Sequence, residues 1–309
     1  MSKALITGGA GFIGSNLARL VLDQGHDVTI LDNLSSGYRE NLATLAEAEF
    51  IEGDVRDRRA VDRAIAGADM VFHLAASVGN TRSIEHPLLD SEVNVLGTLT
   101  MLEAARRGGV RKLVFSSSAG IFGELKTLPI AEDHPVEPDT PYGASKLGAE
   151  KLCLAYAKLY TLECVCLRYF NVYGVNQRYD AYGNVIPIFA HRMLAGLPVL
   201  IHGDGEQTRD FVNVRDVARA NYGAAMSHGI SGAFNIASGT RVTISELVAL
   251  MAKASGVTRA AEFGPPRPGD VRHSLADITQ ARTQIGYQPQ VELAAGLREY
   301  MAWAREARV

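Results

Sequence analysis

The apolar run Ala4-Leu5-Ile6 passes through Thr7 into Gly8-Gly9-Ala10-Gly11-Phe12-Ile13-Gly14, and a helical pattern follows at once. Glycines at 8, 11 and 14 permit a tight turn, close approach of backbone to a pyrophosphate, and close packing of the next helix. The helix start offers free N–H groups and a positive dipole end to an anion. Asp32 ends the second apolar run, Val28-Thr29-Ile30-Leu31, 18 residues beyond Gly14. A carboxylate there accepts hydrogen bonds from adenosine ribose hydroxyls and repels a 2′-phosphate, so the pattern predicts NAD rather than NADP. Asp54-Val55 follows the third strand, where an adenine ring would lie. The alternative for Asp54 is a solvated turn residue.

The rest of the first half fits that start. Met70-Val71-Phe72-His73-Leu74, Leu113-Val114-Phe115 and the stretch from Cys164 to Arg168 are nearly continuous in hydrophobicity, as strands covered on both faces must be. Helical patterns lie between the strands at about 12–24, 57–66, 88–107 and 141–160. Alternation of this kind predicts an α/β fold, a doubly wound parallel sheet of the Rossmann type. After Asn171 the texture changes, with dense aromatics, Gly and Pro. A helix near 184–196, a strand near 198–202, a segment around 209–214 and a final helix near 291–305 are expected. Thr243-Ile244-Ser245-Glu246 reads as a capping box opening another helix. Pro265-Pro266-Arg267-Pro268-Gly269 reads as an ordered turn or loop. The expected division is a dinucleotide-binding domain over 1–170 and a smaller C-terminal α/β substrate domain over 171–309. Some segments of the second are expected to return to the first.

Composition narrows the partners. A net charge of −3 provides no basic field for nucleic acid or an anionic membrane. No apolar run approaches the roughly 20 residues that span a bilayer. The start Met1-Ser2-Lys3 leads straight into a strand with no signal peptide, so a cytoplasmic location is expected. Three cysteines cannot all pair with one another, and Cys164 and Cys166 would share one face of a strand as buried thiols. Eight scattered histidines form no ligand motif, so no metal is expected.

Pro141-Tyr142-Gly143-Ala144-Ser145-Lys146 opens a helix and sets Tyr142 and Lys146 four apart on one face. A free tyrosine has a pKa near 10, and bringing it near 7 takes about 4 kcal/mol of differential stabilisation. A nearby ammonium and a positive nicotinamide ring provide that together. Ser116-Ser117-Ser118 ends the preceding strand, and a serine hydroxyl there can hydrogen-bond the same substrate oxygen. The chemistry that emerges is proton abstraction coupled to hydride transfer, as needed to oxidise an alcohol.

Collinear stretches over nearly the whole chain resemble the extended short-chain dehydrogenase/reductases, and within them the UDP-hexose 4-epimerases. They are Thr7–Gly14, Leu31–Gly37, Gly53-Asp54-Val55, His73–Ala76, Ser116–Ala119, Tyr142–Lys146, Arg168–Gly174, Gly203-Asp204-Gly205, Arg209-Asp210-Phe211 and Arg267–Asp270. The resemblance implies 4-epimerisation of a UDP-hexose (UDP-glucose and UDP-galactose, and the N-acetylated pair) through a transient 4-keto sugar. It implies NAD that stays tightly bound and is recycled, and a homodimer through two helices per subunit, about 88–107 and 141–160. Apolar positions such as Leu88, Leu96, Leu99, Leu147, Leu154 and Leu159 serve either core or interface.

Residue by residue, the match makes Ser118, Tyr142 and Lys146 the catalytic group. Tyr142 takes the proton from the sugar 4-hydroxyl, Lys146 lowers its pKa and holds the nicotinamide ribose, and Ser118 bonds the reacting oxygen. The implied NAD contacts are Gly8, Gly11, Phe12, Ile13, Gly14, Asp32, Asn33, Ser36, Gly37, Asp54, Val55, Leu74, Ala75 and Ala76. They continue with Asn94, Ser116, Tyr142, Lys146 and Tyr169. Asn94 has a surface asparagine as its alternative. The implied substrate contacts are Ser118, Tyr142, Asn171, Leu200, Ile201, Arg209, Arg267, Asp270 and Ser274. Guanidinium groups suit a diphosphate; the alternative for each arginine is a surface salt bridge. His202 fits either an aromatic ring position or a loop. Ser274 stands where a bulky residue would restrict the sugar pocket, so its small size predicts acceptance of N-acetylated sugars; the alternative is a small strand residue, with another wall setting the limit. The usual Val-Tyr-Gly after the serine is Ile121-Phe122-Gly123 here.

Three other readings compete. A dehydratase would carry an Asp-Glu pair where this chain has Ala119-Gly120, with Glu124 too far along. A uronic acid 4-epimerase or decarboxylase would want a cation near C5, for which Arg82 and Arg178 are candidates. A non-enzymatic NAD sensor would have little reason to keep both Tyr142 and Lys146.

Overall fold

The computed structural model describes residues 2–180, 183–257, 261–266 and 271–307. Its first half runs β1 (Lys3–Thr7), α1 (Phe12–Asp23), β2 (Asp27–Asp32), β3 (Glu49–Glu52), α2 (Arg58–Ala64) and β4 (Met70–His73). It continues with α3 (Asn80–Glu85), α4 (Pro87–Ser91), α5 (Thr98–Gly108), β5 (Lys112–Ser118), α6 (Pro141–Leu159) and β6 (Glu163–Tyr169). The second half runs β7 (Asn171–Tyr173), α7 (Val185–Leu194), β8 (Val199–His202), β9 (Thr208–Arg209), β10 (Phe211–Asn213) and α8 (Val214–Met226). Then come β11 (Gly232–Ile236), β12 (Val242–Thr243), α9 (Ile244–Ser255), β13 (Ala261–Gly264), α10 (Thr279–Ile285) and α11 (Leu293–Glu306).

Seven parallel strands form one sheet in the order β11-β6-β5-β4-β1-β2-β3. The order reverses between β1 and β4. In such sheets that switch point opens a crevice beyond the carboxyl ends of the strands. Thr7 pairs with both Leu31 and His73, and Ser118 pairs with Tyr169, so the strand ends that carry the expected site residues lie at one end of the sheet.

Period-2 alternation sorts the strand residues between two faces. Ala4, Ile6, Ile30, Phe72 and Val114 pack with Leu17 and Val21 of α1 and Val217 and Ala224 of α8. Leu5, Leu31, Val71, Phe115, Cys164 and Cys166 pack with Val61 of α2, Met101 of α5, and Ala149 and Cys153 of α6. The shared face foreseen for Cys164 and Cys166 is thus present, and all three thiols are free and buried. A third cluster joins Phe189 and Met193 of α7, Ile201 of β8, Leu247 of α9 and Leu297 of α11. No helix among the described residues is long and apolar enough to cross a membrane.

Two local features differ from the sequence pattern. The helix foreseen over 88–107 is interrupted: between α4 and α5 the turn widens to a π-helix over Glu92–Gly97. That is where Asn94 is drawn into a buried hydrogen-bond cluster, and where Gly97 sits so close to Val55 that a Cβ would lie 2.8 Å from its Cγ2. The returning strand is β11, which pairs with β6. Its fourth residue, Asn235, is buried and donates to the carbonyls of Ile130 and Asp277, which hides the strand in an apolar-pattern search. The Thr243–Glu246 capping box is formed as expected.

Candidate active site

The glycine turn is sterically closed to side chains. Gly8 has φ +71°, and a Cβ on it would lie 2.8 Å from the Ala75 nitrogen. A Cβ on Gly14 would lie 2.1 Å from the Gly8 carbonyl oxygen. Helix α1 starts at Phe12 after Gly11 with no side-chain cap, leaving first-turn N–H groups, including those of Phe12 and Ile13, for an anion. Asp32 is buried at the end of β2, where its carboxylate accepts from the amides of Ala10 (3.0 Å) and Leu34 (2.8 Å). Burial pushes its pKa up, and those two hydrogen bonds oppose the shift. Each carboxylate oxygen keeps a further acceptor position. Gly37 abuts it, since a Cβ there would lie 3.0 Å from Asp32 Oδ1. A cradle that any Cβ would fill, beside a carboxylate with spare acceptor sites, fits NAD.

The neighbouring residues follow. Asn33 donates to Asp54 at 2.9 Å, and the Arg56 guanidinium beside Asp54 holds that carboxyl down to about 2. Val55 is buried and Ser36 is exposed. The amides of Leu74 and Ala75 donate to the Thr7 hydroxyl, at 3.2 and 3.1 Å, and Ala76 continues that segment.

The expected Tyr142–Lys146 pair is set by the start of α6. Thr140 caps the helix by accepting from the Gly143 amide, and Pro141 occupies the first turn. Gly143 lets that turn press on the turn after β5: a Cβ would lie 2.4 Å from the Gly120 carbonyl oxygen. Ser118, at the end of β5, accepts from the Gly120 amide at 3.1 Å, and its hydroxyl and the Tyr142 ring meet beside Gly120: a Cβ there would lie 3.3 Å from Ser118 Oγ and 3.7 Å from the Tyr142 ring. Burial pushes the phenol's pKa above its ordinary value, while the neighbouring Ser118 hydroxyl works against that. Lys146 is buried one turn on, with its ammonium 4.6 Å from the centre of the Phe115 ring. Burial lowers its pKa to about 8. The expected lowering of the tyrosine by Lys146 is not seen in this structure, where burial dominates and Asp90 adds to the rise.

A buried polar network supports this pair. The Thr7 hydroxyl bonds His73 Nδ1 at 2.8 Å, and His73 Nε2 bonds the Thr98 hydroxyl at 3.0 Å. Thr98 donates to the Asn94 carbonyl, so it must accept from His73, which fixes the proton on Nε2. Burial first, then the Lys146 charge, lowers the His73 pKa to about 3, in keeping with a neutral ring. The Asn94 carboxamide donates to Ser77 O, Asp90 Oδ1 and Ser145 Oγ, and its oxygen accepts from the Ser77 amide. Ser145 donates to Asp90. Asn94 is thus a buried hub and not a surface residue. Asp90, Asn94 and Thr98 recur every four residues, a polar stripe visible in the sequence but not singled out there.

A second cluster lies under β5. Glu150, one turn beyond Lys146, accepts from Ser117 at 2.7 Å and pairs with Arg168 at 2.8 Å, with both charges buried. Arg168 also covers the Phe122 ring at 5.2 Å, so the phenylalanine that departs from the family pattern is a packing residue. Tyr169 lies beside Ser116, and its hydroxyl donates to Asn221 at 2.9 Å.

The expected substrate residues gather around β9. Asn171 donates to the Asp210 carbonyl at 3.0 Å, Arg209 donates to the Thr208 carbonyl at 2.9 Å, and the Ser274 amide donates to the same Thr208 carbonyl at 3.1 Å. Ser274 is buried and small. Leu200 and Ile201 lie on β8, which pairs with β13, and the His202 carbonyl accepts from Gln207 just ahead of β9. His202 Nδ1 bonds the Pro265 carbonyl at 3.2 Å, which makes it part of the loop structure. Asp210, which had no assigned role, is buried and accepts from Ser238, Gly239 and Ala276, tying three segments together. Arg267 and Asp270 lie outside the described residues. Of the cations considered for a carboxylate substrate, Arg82 pairs with Asp180, and Arg178 stacks on Tyr38.

Residues 4–237 match the model of the NAD dependent epimerase/dehydratase family. The chain is 41% identical to a UDP-glucose 4-epimerase of Mycolicibacterium smegmatis, covering 98% of each chain. It superposes on a UDP-glucose 4-epimerase of Thermotoga maritima with UDP-glucose at TM-score 0.94 and 38% identity, covering 99% of this chain and 100% of that one. The match to a Thermus thermophilus UDP-glucose 4-epimerase in complex with NAD has TM-score 0.89 and 40% identity, with 99% of each chain covered. With the glycine turn, Asp32 and the Ser118–Tyr142–Lys146 group in the positions described, the chain belongs to the NAD-dependent epimerase/dehydratase family.

Proposed function

We propose that this enzyme interconverts UDP-hexoses at C4. The observation that carries the reading is the juxtaposition of the Ser118 hydroxyl and the Tyr142 ring beside Gly120, just beyond the carboxyl end of β5, with Lys146 buried one turn on. A 4-hydroxyl held there meets two hydroxyls at once. Tyr142 takes and later returns the proton, and Ser118 holds the oxygen through both half-reactions. Bound NAD supplies a hydride acceptor and donor, and a positive charge that favours phenolate over phenol. Lys146 holds the nicotinamide ribose. The remaining NAD contacts are the glycine turn, Asp32, Asn33, Ser36, Gly37, Asp54, Val55, Leu74–Ala76, Asn94, Ser116 and Tyr169.

The nucleotide-sugar is held by Asn171, Leu200, Ile201, Arg209, Arg267 and Asp270. The small, buried Ser274 supports acceptance of N-acetylated as well as plain hexoses. Water elimination is disfavoured, because Ala119-Gly120 bring no carboxylate to the turn and Glu124 is exposed and paired with Lys126. The dinucleotide domain covers 1–170 and the substrate domain 171–309, apart from segments such as β11 that return to the sheet. Exposed Leu88, Leu96 and Leu159 support a homodimer through α4–α6, and three free thiols suit the cytoplasm.

The test is to incubate purified protein, with no NAD added, with UDP-galactose and UDP-N-acetylgalactosamine separately and to follow the 4-epimers by NMR. Conversion of both is expected. Tyr142→Phe should lose at least about 100-fold in rate. Equal rates for wild type and Tyr142→Phe would overturn the catalytic assignment.

A further inference from the structure

The segment 175–178 crosses from the end of β7 to the back of the glycine helix and is fastened there at three points. Asn16 of α1 donates to the Val175 carbonyl at 2.9 Å. Asn176, held at φ +71°, donates to the Ser15 hydroxyl at 3.0 Å. The Arg178 guanidinium lies 4.2 Å from the centre of the Tyr38 ring, with Glu40 at 4.0 Å.

Tyr38 belongs to the loop that follows Asp32 and carries Asn33, Ser36 and Gly37. That loop folds back over the glycine turn through two bonds to one acceptor. The Tyr38 amide and the Asn41 carboxamide both donate to the Ala10 carbonyl, at 3.0 and 2.9 Å. Tyr38 is 40% exposed. Behind the contact lies an open cleft of about 700 Å³ between α1, this loop and α11. The Arg178 stack therefore bridges the wall of the dinucleotide site to the C-terminal half.

We propose that Arg178 is a positioning residue that, through Tyr38, holds the 33–41 loop against the glycine turn and slows release of the dinucleotide. The proposal rests on the NAD site described above. A cation over an aromatic face at a partly exposed position changes an equilibrium or an escape rate by about 5- to 10-fold.

The experiment loads the full chain with radiolabelled NAD, chases with excess unlabelled NAD, and measures the release rate. Arg178→Ala and Tyr38→Ala should each speed release about 5- to 10-fold, and the double variant should be no faster than either. Tyr38→Phe keeps the ring and should release like wild type. Turnover at saturating NAD should stay within about twofold in all of them, which a general loosening of the fold would not allow. Wild-type release from both alanine variants overturns the proposal. So does multiplication of the two effects in the double variant, or a Tyr38→Phe rate equal to that of Tyr38→Ala. Fast release from wild type would contradict tight retention of NAD, but the ratios between variants would still decide the role of Arg178.

Discussion

The Asn94 carboxamide donates to the Ser145 hydroxyl at 3.0 Å, joining residues 51 apart in the chain. Ser145 also lies 3.0 Å from the carbonyl of Tyr142. Through Thr98 and His73 the same asparagine is connected to Thr7, the residue before the glycine turn. One hydrogen-bonded chain therefore runs from the glycine turn to the first turn of α6. Buried chains of this kind hold a single geometry when every member is satisfied.

Asn94→Ala should break that chain at its hub. The loss leaves Asp90 short of a donor and costs about 1–3 kcal/mol of stability. Turnover should fall about 10-fold through misplacement of Tyr142. Asn94→Asp should be worse near neutral pH, because it sets a second carboxylate against buried Asp90. Thermal unfolding and kcat check both variants, and an Asn94→Ala protein equal to wild type in both would contradict the positioning role.

The Glu150–Arg168 pair should behave asymmetrically. Glu150→Ala strands a buried guanidinium and the Ser117 hydroxyl, at about 3–5 kcal/mol. Glu150→Met with Arg168→Met removes both charges together and should recover much of that loss. Urea unfolding of the three proteins measures it. A double variant as unstable as Glu150→Ala would mean that the cost comes from lost packing instead.

Lys146 gives the NAD-free protein a pH signature. Folding lowers its pKa from 10.5 to about 8, so the folded chain binds fewer protons than the unfolded chain between those values. Stability from this group is therefore present above the unfolded pKa and is lost as pH falls through about 8. Relative to Lys146→Met, the wild type should gain up to about 3 kcal/mol of unfolding free energy between about pH 7 and pH 10. Parallel pH profiles for the two proteins would contradict the shift.

Legibility in the sequence follows the distance between interacting groups. Gly8, Gly14 and Asp32 act through backbone geometry within one strand-turn-helix-strand unit, and Tyr142 and Lys146 through a single helical turn. Local spacing exposes both. Thr7 and His73 meet across 66 residues, and Asp90 and Ser145 across 55, so no local pattern announces them. The π-helix at Asn94 is hidden for the same reason, because its cause is that tertiary cluster. The lowering of the Tyr142 pKa by Lys146 is an inference from spacing alone, and in the structure burial of the phenol dominates its shift.

The most direct test of redox epimerisation at Tyr142 uses UDP-galactose deuterated at C4. Purified protein converts it, and the product UDP-glucose is examined by NMR. The expected result is deuterium kept at C4, with conversion abolished by Tyr142→Phe. Loss of the label to solvent, or unchanged conversion by Tyr142→Phe, would contradict the mechanism.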